Sequence, residues 1–229
     1  CITCLLETAA LYLQKDDSSN ARQKAELALA RMPSNPDVLD LMIKVCVKQE
    51  DYAEAISYSR KRLGNDPTSY LYWYDLGSLY LTAGQLDQAE ETFLKAQTFA
   101  KDDIASLLHL FDIYKEKNKL QLAESILERA IFINPRSEMA HRKLVEFLFE
   151  REDFEKARES SKAFLDKHPK SVWAHFWTVN TLVVSNDFDS AIKAYKKGAE
   201  LADDFSDLFS NEKLLLLEKK IQEENSRHD

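Results

Sequence analysis

The residues of this sequence best suited to chemistry are its three cysteines and five histidines. Cys1 and Cys4 form a C-x-x-C pair, a spacing found in redox and metal sites. A structural zinc site needs a second pair, but Cys46 is the only other cysteine and stands in an apolar stretch. A thioredoxin-type dithiol needs a strand–helix–strand setting, which the surrounding pattern does not predict. We therefore interpret the pair as structural or incidental.

The histidines show no zinc-binding pattern, although two of them occupy equivalent places. His141 and His175 lie 34 residues apart, and no cysteine or aspartate recurs with them. We therefore expect both to be packed between helices. The sequence also has no glycine-rich phosphate loop, G-x-S-x-G elbow or H-E-x-x-H motif, and no opposed acid–base pair stands out. These patterns predict no catalytic site, no metal and no cofactor, so we expect a protein that is not an enzyme.

The stretch from Trp73 to Ala96 predicts two helices joined by a short turn. Its first part carries one helix face at spacings i, i+3, i+4 and i+7, formed by Trp73, Leu76, Gly77 and Tyr80. Gly84 then marks a turn. The second face consists of small residues around an aromatic one: Ala89, Phe93 and Ala96. Each helix of such a pair keeps an apolar stripe that the pair alone does not cover, so a neighbouring copy must cover it.

The same pattern recurs along the chain with a period of about 34 residues. The Ala89 position is alanine in all other copies: Ala21, Ala55, Ala123, Ala157 and Ala191. Four prolines are separated by two residues from the start of the next copy: Pro33, Pro67, Pro135 and Pro169. Lys101 and Asp203 fill the two remaining proline positions. Alanines and prolines held in one register without insertions indicate a true internal repeat.

The W-x2-L-G-x2-Y and A-x3-F spacings of Trp73–Ala96 resemble those of the tetratricopeptide repeat family. This resemblance implies an all-α, right-handed α-solenoid of about six helix pairs, forming a single domain over residues 1–229. We number the repeats one to six, and their expected ranges are 2–35, 36–69, 70–103, 104–137, 138–171 and 172–205. Residues 206–224 are expected to form a C-terminal capping helix whose Glu and Lys residues give it a polar side.

Composition supports helices and narrows the choice of partners. The chain has 229 residues, 45% of them hydrophobic, with only 4 Gly and 5 Pro, which favours helices joined by short turns. No apolar run approaches the roughly 20 residues that a transmembrane helix needs. A net charge of -8 disfavours nonspecific binding to nucleic acid or anionic lipid. The cysteine content suits a reducing compartment, and we expect a cytoplasmic protein.

The start of the chain leaves two further interpretations open. The sequence has no initiator Met and enters almost directly into a helix, so we expect a fragment or processed product of a longer protein. A mature lipoprotein would also begin with cysteine, and Cys1 is compatible with that.

The resemblance implies a concave groove lined by the first helix of each repeat. The residues at positions 2, 5, 6, 9 and 12 of a repeat are not needed for packing and form a second stripe on that helix. We select twelve of them as candidate partner-binding residues: Tyr74, Asp75, Ser78, His109, Asp112, Lys115, Arg142, Lys143, Glu146, Phe176, Trp177 and Asn180. Aromatic anchors mixed with polar and charged groups suit a protein or peptide partner.

Two alternatives concern the groove itself. Trp173, Phe176 and Trp177 form either a binding surface or a patch covered by the helix expected at 206–224. Chaperone-binding members of the family hold a terminal carboxylate with a Lys and an Asn of one repeat, an Asn of the next, and a Lys and an Arg of the third. No three consecutive repeats have that set, so we expect no carboxylate clamp, although Arg142 and Lys143 still suit an acidic partner.

The function we predict is a scaffold or adaptor that holds a peptide or partner segment in the groove and so assembles a larger complex. A helical-repeat RNA-binding module is the second hypothesis, which the negative charge and the absence of a basic stripe disfavour. A third hypothesis is a regulatory or targeting domain of a larger enzyme. The fold alone does not choose among them.

Overall fold

The computed structural model describes residues 1–202 and 218–219, and this part of the chain contains helices and no strand. The all-α helical-repeat fold predicted from the sequence is confirmed. The helices, in chain order, are α1 Ile2–Gln14, α2 Ser18–Arg31, α3 Pro36–Lys48, α4 Tyr52–Asn65, α5 Tyr70–Thr82, α6 Leu86–Phe99, α7 Ile104–Glu116, α8 Leu120–Ile133, α9 Glu138–Glu150, α10 Phe154–Lys167, α11 Val172–Val184 and α12 Phe188–Leu201. The capping helix expected at 206–224 lies outside the described residues, apart from 218–219.

The chain forms two compact units, Cys1–Ala123 and Glu124–Asp229. In the first unit, α1 packs on α2, α3 on α4 and α5 on α6; in the second, α9 packs on α10 and α11 on α12. The recurring alanine of each repeat has no solvent exposure: Ala21, Ala55, Ala89 and Ala123 in the first unit, and Ala157 and Ala191 in the second. Because a larger side chain at these positions would push the helices apart, alanine permits the close packing.

Each first helix begins immediately after a capping side chain. Helices α3, α5, α7, α9 and α11 start 34 residues apart, at the first residue of each expected repeat. The residue before each one accepts a hydrogen bond from a backbone N–H of the first turn: Asn35, Ser69, Asp103, Ser137 and Ser171. Such a cap satisfies one of the backbone donors that a helix start leaves unpaired. The four recurring prolines, Pro33, Pro67, Pro135 and Pro169, therefore lie two residues before a cap.

The C-x-x-C spacing at the start of the chain fits the same kind of cap. The Sγ atom of Cys1 accepts a weak hydrogen bond from the backbone N–H of Cys4 at 3.4 Å, at the start of α1. Both cysteines are exposed and have free thiols. Cys46 is buried in α3, where burial raises the pKa of its thiol to about 12 and so suppresses thiolate formation at neutral pH.

The turn inside each repeat uses one residue with left-handed backbone. This residue has a φ between 55° and 70° in every repeat: Asp16, Glu50, Gly84, Asn118, Glu152 and Asn186. In repeat three the N–H of Gly84 bonds the carbonyl of Leu81 at 3.0 Å, and the N–H of Gln85 bonds that of Tyr80 at 2.8 Å. These two hydrogen bonds together form the Schellman motif, which ends the helix. Glycine adopts the required φ without steric cost, whereas Glu50 and Glu152 do not.

At the tryptophan position of three repeats, a ring nitrogen is hydrogen-bonded to a proline carbonyl six residues earlier. The indole Nε1–H of Trp73 donates to the carbonyl of Pro67 at 2.8 Å. Nε2 of His141 and Nε2 of His175 lie 3.3 Å and 3.1 Å from the carbonyls of Pro135 and Pro169, six residues before them as well. Both histidines are buried, so the packing predicted for them is observed. Histidine replaces tryptophan here because its ring N–H reaches the same acceptor.

None of the described helices is both long enough and apolar enough to cross a membrane.

The left-handed turn position gives a stability prediction for the first unit. We expect Glu50→Gly to raise the free energy of unfolding by about 1 kcal/mol, since the side chain no longer opposes the positive φ. Glu50→Ala is the matched control, because it removes the carboxylate but keeps the Cβ atom. Urea unfolding followed by circular dichroism measures both variants. Equal stabilisation by alanine and glycine would contradict the backbone explanation.

The two buried histidines make the second unit sensitive to acid. Burial lowers the pKa of His141 and of His175 below the ordinary value of 6.5, and the bonds to the proline carbonyls oppose this only in part. Their contribution to stability is therefore present above about pH 6.5, the unfolded-state pKa, and is lost as pH falls from there towards the folded-state pKa. We expect a lower Tm at pH 5.5 than at pH 7.5.

A double variant separates this effect from general acid sensitivity. In His141→Gln with His175→Gln, the amide can still donate to the proline carbonyl but does not titrate. The Tm difference between the two pH values should shrink in this variant. An unchanged difference would show that other groups cause the acid sensitivity.

Candidate functional site

All twelve candidate residues lie on first helices and retain solvent exposure. Tyr74, Asp75 and Ser78 are on α5, and His109, Asp112 and Lys115 are on α7, in the first unit. Arg142, Lys143 and Glu146 are on α9, and Phe176, Trp177 and Asn180 are on α11, in the second. None of the twelve is buried, and Lys115 and Arg142 are the most exposed. The set therefore remains available for contact with a partner in each unit.

A buried arginine that sequence analysis missed organises the lining in the first unit. Arg62 of α4 is only 4% exposed, yet its guanidinium Nη2 donates to Asp75 Oδ2 at 2.7 Å and its Nη1 pairs with Asp40. The guanidinium also lies over the ring of Tyr72, 4.3 Å from its centroid. The helices α3 and α5 are thereby joined through a side chain of α4. Asp75, predicted as a partner contact, is held in place by this arginine.

The position of Arg62 in its repeat is the signal that could have identified it. Equivalent positions in other repeats hold small residues in four cases: Ala28, Ala96, Ala130 and Gly198. Repeat five has Phe164 there. An arginine at a position otherwise used for close helix packing needs charged partners, because burying an unpaired guanidinium is costly. Asp40 and Asp75 supply them.

A cleft of about 300 Å³ opens beside this ion-paired group. Its lining includes Asp40, Lys44, Asp75, Ser78 and Thr82. Both aspartate side chains are 38% exposed, and each uses one carboxylate oxygen for Arg62. The second oxygen of each carboxylate remains as an acceptor. The cleft thus offers fixed carboxylates beside two hydroxyl groups, an arrangement suited to polar groups of a bound segment.

The side chains of Tyr74 and His109 are hydrogen-bonded to each other. The hydroxyl of Tyr74 and Nε2 of His109 lie 3.0 Å apart. The His109 ring stacks on the Phe93 ring with centroids 4.9 Å apart. The Tyr74 ring contacts the Phe93 ring edge-on. Phe93 has no solvent exposure, and burial also raises the pKa of Tyr74. The two side chains are therefore held in fixed positions on a rigid aromatic base.

The second unit has a more apolar cleft of about 400 Å³. It is lined by residues of α9 and α11 and of the turn before α11: Glu138, Arg142, Glu146, Lys170, Ser171, Val172, Trp173, Phe176 and Trp177. Arg142 pairs with Glu146 one helical turn away, at 2.8 Å. The indole of Trp177 meets Phe149 and Phe176 edge-on, with centroids 5.2 Å and 5.6 Å apart. Four of the twelve candidates therefore meet in one cleft.

The remaining candidates are not part of these clefts. Asp112 and Lys115 of α7, and Lys143 and Asn180 of the second unit, line neither of them. The alternative that residues 206–224 cover Trp173, Phe176 and Trp177 concerns residues that are almost all outside the described ones. Trp173 itself is 9% exposed and packs on Phe164, whereas Phe176 and Trp177 are partly exposed. The indole N–H of Trp173 has no hydrogen-bond partner in the described part of the chain.

Comparisons with known proteins support the helical-repeat fold. Models of the tetratricopeptide repeat family match residues 47–110 and 148–204. No curated protein matches the chain. Among solved structures, MamA is 22% identical with a TM-score of 0.61, over 75% of this chain and 94% of that one.

Two further structures extend the likeness. A tetratricopeptide repeat protein from Parabacteroides merdae is 15% identical with a TM-score of 0.64, over 90% of this chain and 82% of its own. YrrB, described as having an unusual peptide-binding site, is 16% identical with a TM-score of 0.57, over 83% and 98%. At these identities the likeness shows a shared fold.

The aromatic base under Tyr74 and His109 gives a prediction with an internal control. A Cβ atom added at Gly77 would lie 2.9 Å from the Phe93 ring, so Gly77→Ala must displace that ring. We expect it to lower the free energy of unfolding by about 1–3 kcal/mol. Gly64→Ala is the control, since a Cβ atom there meets nothing within 4 Å and alanine favours a helix. A neutral Gly77→Ala in urea unfolding would contradict the close packing.

Proposed function

Because this chain belongs to the tetratricopeptide repeat family, we propose that it is a scaffold or adaptor that binds a peptide or partner segment along its first helices. Proteins of this fold present repeated helix faces to partners, and the fold supports a role in protein interaction in general. The finer proposal concerns where binding occurs in this chain and which side chains provide the energy. It also holds that the chain acts by binding and catalyses no reaction.

The observation that carries the proposal is the aromatic cleft of the second unit. Phe176 and Trp177 keep part of their rings exposed beside Arg142. Tryptophan and arginine dominate the energy of protein interfaces, because a flat ring or guanidinium loses little conformational entropy when it is covered. A partly exposed aromatic cluster of this kind is also costly in water unless a partner covers it. An apolar side chain of the partner fits the volume of this cleft.

The exposed guanidinium of Arg142 at this cleft is a suitable partner for a carboxylate. Arg142 forms its ion pair with Glu146 on an exposed helix surface, with 55% of the arginine side chain exposed. Such surface pairs contribute at most about 1 kcal/mol, so a partner carboxylate can replace Glu146 at little cost. Lys170, in the turn before α11, adds a second cation. Glu138 and Glu146 balance these two cations in formal charge, so a partner carboxylate would bind by displacing Glu146 from Arg142.

The polar cleft of the first unit supports the same function by a different interaction. The carboxylates of Asp40 and Asp75 are fixed by Arg62 before a partner arrives. Tyr74 and His109 are likewise fixed by their mutual hydrogen bond. Side chains that are already ordered lose less entropy on binding, which improves affinity without new contacts. Backbone amides or hydroxyl groups of an extended segment are suitable partners for these acceptors.

The comparison with YrrB is consistent with this proposal at the level of the fold. That protein is described as having an unusual peptide-binding site, and its sequence is 16% identical to this chain. Binding by this chain therefore has to be argued from its own residues, as above.

The proposal is tested by removing the aromatic anchor. We expect Trp177→Ala to weaken partner binding by at least about 2 kcal/mol, roughly thirtyfold, in line with a central interface residue. Partners are identified by affinity purification of the intact protein with mass spectrometry, and affinity is then measured by isothermal titration calorimetry with the strongest of them. Circular dichroism verifies that each variant keeps its helices.

Phe132→Ala is the matched control for this experiment. Phe132 is also in the second unit, is 86% exposed, and does not line the cleft. Its replacement should leave partner binding unchanged. The proposal for this cleft fails if Trp177→Ala retains full affinity, or if both variants weaken binding equally.

A further inference from the structure

A third cleft, of about 590 Å³, lies on the first unit and is separate from the twelve candidate partner-binding residues. It is bounded by α4 and α6 and contains none of the twelve candidate residues. Leu63, Leu76 and Tyr80 form buried parts of its lining, and Trp73 remains partly exposed there. Leu94 of α6 lines it with 44% of its surface in contact with water. The cleft is thus larger than either cleft on the first helices and has an apolar base.

Two cations flank this apolar base. Arg60 of α4 donates from Nε to the hydroxyl of Tyr80 at 2.7 Å, and its guanidinium lies 5.6 Å from the centre of the Tyr80 ring. Nζ of Lys95 in α6 lies 5.6 Å from the centre of the Phe99 ring. Both cations line the cleft, together with one carboxylate, Glu91. The charged lining is therefore net positive within a chain of net charge -8.

Within the described residues neither Arg60 nor Lys95 forms an ion pair. Other cations of the same unit, such as Arg22 and Lys117, are paired with carboxylates at 2.6 Å. Arg60 is held by Tyr80 through Nε, and its two terminal nitrogens are further donors that can bind an acceptor of the partner. A guanidinium fixed in this way is prepared for a carboxylate, which it can bind through two parallel hydrogen bonds.

We propose that this cleft is a second docking surface, which takes an acidic amphipathic helix of a partner protein. A trough between two helices accommodates a third helix, whose apolar side chains enter it at spacings i, i+3, i+4 and i+7. The apolar face of the partner covers Trp73 and Leu94. Its glutamate or aspartate side chains meet Arg60 and Lys95. Tyr80 acts as a positioning residue, since it orients Arg60 without contacting the partner.

The position of this surface gives the protein two independent sites. The twelve candidate residues are on first helices, whereas this cleft is formed mainly by the second helices α4 and α6 together with Trp73, Leu76 and Tyr80 of α5. A scaffold with a site on each kind of helix can bind two partners at once. Loss of one site therefore leaves the other intact, which allows the two proposals to be tested separately.

A synthetic helical peptide with leucine on one face and glutamate on the other serves as the probe. It is labelled with fluorescein, and its binding to the full chain is followed by fluorescence anisotropy. A peptide with lysine in place of glutamate is the control for charge. We expect the glutamate peptide to bind and the lysine peptide not to bind. Arg60→Glu should weaken binding of the glutamate peptide by at least about tenfold, and Leu94→Glu should have a similar effect.

Lys61→Glu is the matched control, because it makes the same charge change one residue further along α4. Lys61 is exposed and does not line the cleft. Its replacement should change the affinity for the glutamate peptide by less than about twofold. If long-range charge effects alone were responsible, Arg60→Glu and Lys61→Glu would weaken binding equally. Circular dichroism establishes that all variants are folded.

Four results would overturn the proposal. They are no binding of the glutamate peptide, equal loss in Arg60→Glu and Lys61→Glu, loss in Trp177→Ala with none in Arg60→Glu, and self-association of the chain that Leu94→Glu abolishes. The third result would assign the peptide to the cleft of the second unit. The fourth, measured by sedimentation velocity, would assign the surface to a second copy of the chain.

Discussion

The close approach of neighbouring helices at the recurring alanines is the constraint on which the other features depend. All six alanines have no solvent exposure. At such positions a methyl group fills the space between two backbones, and additional atoms would force the helices apart. Because this spacing recurs in every repeat, the other side chains also meet at recurring positions. The proline carbonyl therefore reaches a ring N–H from Trp73, His141 and His175 alike.

Ion pairs between successive repeats help to specify which repeats pack against each other. In the first unit Lys117 pairs with Asp87 at 2.6 Å and also with Glu90, which belong to the preceding repeat. In the second unit Glu124 receives Arg151 and Lys156 of the following repeat at 2.7 Å and 2.9 Å. Between repeats one and two both polarities occur, since Arg22 pairs with Glu54 of the following repeat and Lys48 pairs with Asp16 of the preceding one. Such pairs contribute little stability, but a wrong neighbour would bring like charges together.

Sequence periodicity predicted the fold because the fold itself is periodic. Glycine and alanine spacing, proline positions and one clear copy of the motif sufficed to define the helix pairs. The capping residues were not predicted, and of the turns only the one at Gly84 was, because the other five repeats have Asp, Glu or Asn at that position. The candidate lining was selected by helix position alone. That argument gives exposure correctly, but it contains no information on which side chains pair with each other.

Arg62 shows why a periodic pattern cannot predict a site completely. Sites arise where a repeat departs from its pattern, and the departure acts through residues of neighbouring repeats. One arginine at a small-residue position connects Asp40 of its own repeat with Asp75 of the next, and so determines the electrostatics of a whole cleft. The same reasoning applies to Arg60, whose orientation depends on Tyr80 of the following repeat. Packing positions thus specify the fold, while substitutions at individual positions give each cleft its own chemistry.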